Sequence, residues 1–403
     1  MTRRERLRRC YCHEETDRPA VYSRTGFPTN DPTYDRLKAY LHLHTEQKHT
    51  WRCGPAAGPG PLEYHEEPHS STFKRGITVL HTPAGDLQRT ELVSLRGQPG
   101  MQETYLVKSP EDAARYLSLP LPECRGHGED SFRAAAKLVG DRGIVDVSLG
   151  MNPAGFVAEL CGSETFALLS VTDRDVLHAL CRRQAEVLSR CIRHVLGLGI
   201  GPFFSMLGQE YLVPPLHGPR DFQDFSVRYD RPLVDLVHGA GGRMHVHCHG
   251  PIAAVFDGFL EMGVDVLHPC EPPPMGNITA AQVRQRAQGR LCMEGNIQIN
   301  RMYQATPDQI RAETLQLIAD GFDRGGLIVS PSASPYIRGQ GETCFPQYKA
   351  MIDAVVHWRS GSPAHAARPQ ATAEAARPPQ RRPSPAPPAT PAAAAPQTTG
   401  GPA

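Results

Sequence analysis

A chain of 403 residues has room for one large α/β domain or two ordinary ones, and its 43 basic and 42 acidic residues leave a formal charge of +1. That balance excludes a global field favouring nucleic acid or an anionic membrane surface. No apolar run approaches the ~20 residues needed to span a bilayer, and the opening "MTRRERLRR" lacks the apolar core of a signal peptide.

The eleven cysteines are scattered, only Cys10 and Cys12 are close, and no CxxC pair exists. Such a set predicts reduced thiols in a cytoplasmic protein.

In chain order, "RPAVYS" (18–23) reads as a strand, and 77–95 as a β-hairpin turning at Pro83-Ala84-Gly85. "GIVDVSLG" (143–150) is strand-like and precedes a helical stretch, "NPAGFVAELCG". A long helix follows, opened by Thr172 with Asp175 three residues on as a capping-box analogue. "PFFSML" then reads as a buried strand.

The alternation continues with helix 220–238, strand 243–249, helix 251–262, strand 264–268, a helix near 279–288 and strand 290–295. Helix 306–321, strand 327–331 and helix 345–358 complete it. Six strand-then-helix units between about 140 and 360 predict parallel strands with helical crossovers. No GxGxxG follows an early strand, so the expectation is a (β/α)8 TIM barrel over 1–360 with an N-terminal β-hairpin insertion. From about 361 the chain is nearly all Ala, Pro, Gly, Ser, Thr, Gln and Arg, which predicts a disordered tail over 361–403, with Arg381–Arg382 its basic patch.

Reactive groups of such a barrel project from the C-terminal ends of its strands. Those ends carry Asn152, Glu210, His247, His249, Glu271, Asn296, Gln298, Ser330, Ser332 and Ser334. In "RMHVHCHG" (243–250) the period of two puts Arg243, His245, His247 and His249 on one face. Side chains at i and i+2 stand about 7 Å apart, so His247 and His249 are expected to share one ion, with His245 orienting from behind and Gly250 turning the chain. Glu271 in "HPCEPPP" is the expected third ligand. Core histidines bonded to polar neighbours are the alternative.

The stretches "LVDLVHGAGGRMHVHCHG", "DVLHPCEPPPMGN", "EGNIQ" and "LIVSPSASP" resemble the uroporphyrinogen decarboxylase (URO-D) superfamily, as does the opening "RRERLRRC…ETDRPAVY". That superfamily holds the heme-pathway decarboxylases and metal-dependent methyltransferases that pass methyl groups between corrinoid proteins and thiols. The methyltransferase branch carries His-x-Cys-Gly at the strand end, a later carboxylate and a late cysteine. Here His247 matches the histidine, His249 stands at the cysteine position, Glu271 matches the carboxylate, and "SPSASPY" supplies no cysteine. The resemblance thus implies zinc or another divalent metal on nitrogen and oxygen ligands, with a corrinoid as co-substrate. Without thiolates such an ion would be the stronger Lewis acid, which favours oxygen substrates over thiol alkylation.

In the decarboxylases a two-arginine segment clamps substrate carboxylates and an aspartate holds the pyrrole nitrogens. Arg24 in "VYSRTGF" matches the first arginine; the second is missing, and no aspartate stands out. Arg24, Asn296 and Gln298 are the expected catalytic residues, and Glu210 and Arg338 the expected cofactor-binding ones; loop capping is the alternative for Asn296, Gln298 and Arg338, and a surface ion pair for Arg24.

Methyl transfer therefore ranks first. A lyase acting on a tetrapyrrole carboxylate ranks second, and a non-catalytic corrinoid or tetrapyrrole binder third. Metal-hydrolase barrels usually place HxH on the first strand, so hydrolysis is set aside. The expected partners are a small molecule or corrinoid protein as methyl donor or acceptor, and a second copy in a homodimer, with no nucleic acid and no membrane.

Overall fold

The computed structural model describes residues 1–52, 60–96, 99–124 and 128–359. The predicted tail over 361–403 lies outside the described residues. Eight strands form one wholly parallel sheet: β1 (Ala20–Val21), β2 (Gln47–Trp51), β7 (Gly143–Met151), β8 (Phe203–Leu207), β9 (Arg243–Cys248), β10 (Val266–Pro269), β11 (Cys292–Ile297) and β12 (Leu327–Pro331). Their order, β1-β12-β11-β10-β9-β8-β7-β2, leaves β1 and β2 at the two edges. No ladder joins those edges among the described residues, but two bonds do. The Glu46 amide donates to the Val21 carbonyl at 3.0 Å, and the Glu46 carboxylate accepts from the Val21 amide at 2.7 Å. Glu46 is wholly buried, and its carboxylate also takes Arg6 at 2.6 Å and Arg18 at 3.1 Å. One side chain so ties the N-terminal helix (Arg3–Tyr11) to both sheet edges.

The predicted strands fall within one or two residues of the observed ones, but β2 was not expected. Its "QKHTW" is mostly polar and carries no apolar alternation. The hairpin expected at 77–95 is β4 (Phe73–Leu80) with β5 (Leu87–Ser94), widened to four antiparallel strands by β3 (Leu62–Pro68) and β6 (Met101–Gln102). Its turn uses Gly85 at φ +114, with the Thr82 hydroxyl donating to the Gly85 carbonyl at 2.6 Å. Thr172 does not open the long helix. It ends the preceding one (Ser163–Thr172), and the long helix runs Arg174–Gly197 after Asp173. No single helix among the described residues is long and apolar enough to cross a membrane. Nor are all thiols free, since Cys124 and Cys191 form a disulfide with 5.5 Å between their Cα atoms.

The concave side of the sheet is closed below by an apolar layer. Ala20, Ile144, Phe203, Val266, Cys292 and Ile328 pack there against Leu7, Cys10 and Tyr11 of the N-terminal helix. Tyr11 meets Phe203 edge-on at 5.1 Å between centroids. A larger core lies outside the sheet, between the strands and the helical layer.

Candidate functional site in the concave face

Two residues beyond each member of the apolar layer the chain turns polar. Tyr22, Asp146, Ser205, His268, Glu294 and Ser330 follow Ala20, Ile144, Phe203, Val266, Cys292 and Ile328, and each pair shares one strand face. Strands β2 and β9 add Lys48 and His245, the latter in register with Ser205. Lys48 pairs with Glu294 and lies over the rings of Tyr22 (4.9 Å) and Tyr11 (5.2 Å). Burial alone would raise the Glu294 pKa, but Lys48, His245 and His268 together hold it well below the usual carboxylate range.

Asp146 shifts the other way: burial raises its pKa, against the pull of His245, Ser205 and Lys48. Its Oδ2 accepts from the Ser205 hydroxyl at 2.7 Å, while Oδ1 has no hydrogen-bond partner. The same holds for His245 Nε2, 3.5 Å from Glu294, and for the Tyr11 hydroxyl. All three residues line one cavity of about 240 Å³, whose mouth carries Arg24, Thr50, Arg52 and Ser334. Clefts of about 320 and 290 Å³ lie elsewhere, around Arg324, and include none of this polar layer.

Above it stands the predicted metal strand. An Arg24 guanidinium nitrogen lies 3.0 Å from His247 Nδ1, and His268 Nδ1 lies 2.7 Å from the same atom. Burial, then His268 and Arg24, pushes the His247 pKa far down, so the ring is neutral. Arginine can only donate, so Nδ1 accepts and Nε2 carries the ring hydrogen. His249 is different: its Nδ1 donates to Glu271 Oε2 at 3.0 Å, which leaves Nε2 with a free lone pair. Glu271, 4% exposed, thus orients His249 and also takes the Gly250 amide at 3.4 Å. Gly250 makes the expected turn at φ +98.

His247, His249 and Glu271 are therefore neighbours without forming a three-ligand centre. No group of three His, Cys, Asp or Glu among the described residues is arranged to hold a metal ion. One nitrogen of His247 faces a guanidinium and the other carries hydrogen, so the donor set as it stands does not fit a metal. His245 does not orient His247 from behind; its Nε2 faces Glu294.

The remaining predicted residues divide. Asn296 donates to the Cys270 carbonyl and Gln298 to the Pro272 carbonyl, both at 2.9 Å, so the two amides hold the backbone on either side of Glu271. Glu210 is half-buried; burial raises its pKa against its own and the Gly208 amide, His249 and Arg24. Arg338 is exposed and donates to the Thr29 carbonyl at 3.0 Å, outside the cavity lining. Asn152 caps the helix Pro153–Cys161 and donates to buried Asp230 at 2.9 Å. Ser334 accepts from the Gly26 amide at 3.2 Å and pins the loop after Arg24.

Sequence reasoning missed Lys48, Asp146, Glu294, His268 and Arg52. A single charge inside an otherwise apolar strand, as in "GIVDVSLG" and "CMEGNI", was the available signal for Asp146 and Glu294.

Comparison with known proteins agrees with this fold. A methyltransferase from Methanosarcina mazei is similar at 14% identity and a TM-score of 0.57, over 88% of this chain and 98% of that one. Muconate lactonizing enzyme from Pseudomonas putida, at 13% identity over 73% of this chain and 77% of that one, reaches a TM-score of only 0.23. No curated protein matches the chain. The family model for uroporphyrinogen decarboxylase (URO-D) matches residues 151–357, from the end of β7 through the histidine strand to the last helix, and the chain belongs to that family.

Proposed function

We propose that the curled sheet is a (β/α)8 barrel and that the chain is a URO-D family enzyme that decarboxylates a carboxylic acid in its cavity. The observation that carries this is the use of Arg24: it donates to the one nitrogen of His247 that a metal would need, and it lines the cavity mouth beside Arg52. Two guanidinium groups at a cavity mouth suit a carboxylate. In the reaction the bond between the carboxyl carbon and its neighbour breaks and carbon dioxide leaves through the mouth. The electron pair stays on the neighbouring carbon, which takes a proton. His245, on the cavity wall with Nε2 3.5 Å from Glu294, is the group we assign to deliver it.

A second reading is corrinoid-dependent methyl transfer with zinc or a similar ion. Its support is the pair His249–Glu271, in which a carboxylate presents a half-exposed imidazole at the mouth. That reading requires His247 to release Arg24. A cytoplasmic setting, a homodimer and a small-molecule or corrinoid-protein partner belong to the same proposal.

One purified sample tests both. Carboxyl-labelled acids, uroporphyrinogen among them, should release labelled carbon dioxide, and Arg24→Ala should abolish the release. Stoichiometric zinc, lost in His249→Ala and unaccompanied by any such release, would overturn decarboxylation in favour of methyl transfer.

A further inference from the structure

The cavity is graded in charge from mouth to floor. Arg24 and Arg52 stand at the mouth. Below them, counting formal charges with histidines neutral, Lys48 cancels Glu294 and the Asp146 carboxylate is left over. Asp146 and its layer lie two residues down the strands from Ser148 and His247, a depth of about 7 Å. Lys48 is already held by Glu294, and the Ser205 hydroxyl occupies only Oδ2 of Asp146. Oδ1 of Asp146 has no hydrogen-bond partner, and the residue is partly exposed on the cavity wall. A carboxylate on a cavity wall with no cation of its own is a site for a cationic group.

From this grading we infer that the cavity binds a small zwitterion, its carboxylate on Arg24 and Arg52 and a protonated nitrogen on Asp146. The cavity of about 240 Å³ gives a short amino acid room to reach from the arginines to Asp146. An ammonium or ring N–H⁺ donates to the Asp146 carboxylate and neutralises the one charge that Lys48 does not match. A second carboxylate in that position would instead face both Asp146 and Glu294. The inference rests on the cavity being the reaction site, as proposed above, but concerns what it recognises and not which bond breaks.

The test uses four probes on the full chain: 4-aminobutyrate, butyrate, butylamine and succinate, with binding followed by calorimetry and by the shift in Tm. The zwitterion is expected to bind at least tenfold more tightly than either half alone and than succinate. Asp146→Asn should erase the advantage of 4-aminobutyrate over butyrate, and Arg24→Ala should erase its advantage over butylamine. Succinate binding as tightly as 4-aminobutyrate would overturn the inference, as would equal binding of butyrate. The comparison among probes on the unmodified chain needs no variant to fold. Preferred binding of the zwitterion with no carbon dioxide released from any acid would sink decarboxylation and leave this inference standing. Release from acids bound without regard to nitrogen would do the reverse.

Discussion

The apolar floor and the polar layer above it are built from the same strands, two residues apart, yet they do opposite things. Ile144, Phe203, Val266, Cys292 and Ile328 pack against one helix and need only fit. Asp146, Ser205, His268, Glu294 and Ser330, each the next residue on the same face, carry hydrogen-bonding or charged groups, and Asp146 among them keeps one oxygen unpaired. The floor excludes water from below, and the layer above gains its electrostatic strength from that exclusion. Stability and chemistry are separated here by about 7 Å along each strand.

Breaking the floor should have the largest effect. Phe203 is 9% exposed and stacks edge-on with Tyr11, so Phe203→Ala should cost about 3 to 5 kcal/mol of stability, measured by urea unfolding. Breaking the polar layer at its ion pair comes close. Glu294→Gln leaves the buried Lys48 ammonium without its partner and should cost about 3 kcal/mol or more. Here the two layers part company. The double change Lys48→Met with Glu294→Met should restore stability to near the original, because a buried pair contributes little net energy against apolar residues of similar volume. No comparable second substitution is expected to rescue Phe203→Ala, and a double variant as unstable as Glu294→Gln would contradict this account of the layer.

The same contrast explains what was legible in the sequence. Strand pattern and helical period located seven of the eight parallel strands and the hairpin, because those segments bury apolar side chains on at least one face. Strand β2 escaped because Lys48 and Thr50 point into the polar layer and only Trp51 is buried. The histidine strand was legible as chemistry from its spacing alone. Its use was not: that Arg24, more than two hundred residues earlier, donates to His247 depends on the closure of β1 onto β12. Asn296 and Gln298 were picked out as polar residues at a strand end, but only the position of the Glu271 loop reveals that their amides hold it.

A smaller effect follows at that loop. Asn296→Ala removes the donor to the Cys270 carbonyl and leaves a buried acceptor unpaired, at a cost of about 1 to 2 kcal/mol. The readout that separates positioning from mere stability is the His249 ring: its Nδ1 chemical shift should change as Glu271 loosens its hydrogen bond, whereas Phe203→Ala, studied well below its Tm, should leave it in place.

The smallest effect arises within the polar layer itself, because the pKa values of its two carboxylates shift in opposite senses. The Glu294 pKa is depressed in the folded chain, so its contribution is fully present above the unfolded value of about 4.3 and is lost as pH falls toward the folded one. The Asp146 pKa is raised, so its contribution is present below the unfolded value of about 3.9 and is lost as pH rises through the folded one. At neutral pH, then, an ionised Asp146 lowers stability while Glu294 supports it. Asp146→Asn should make the ligand-free chain slightly more stable at pH 7 than the original and no more stable at pH 3, a difference read from chemical unfolding at the two values. A carboxylate whose removal stabilises the fold is one retained for what it binds, which is the role assigned to Asp146. If Asp146→Asn is instead less stable at pH 7 by as much as at pH 3, its carboxylate belongs with the floor as a structural group, and the separation of the two layers fails at that position.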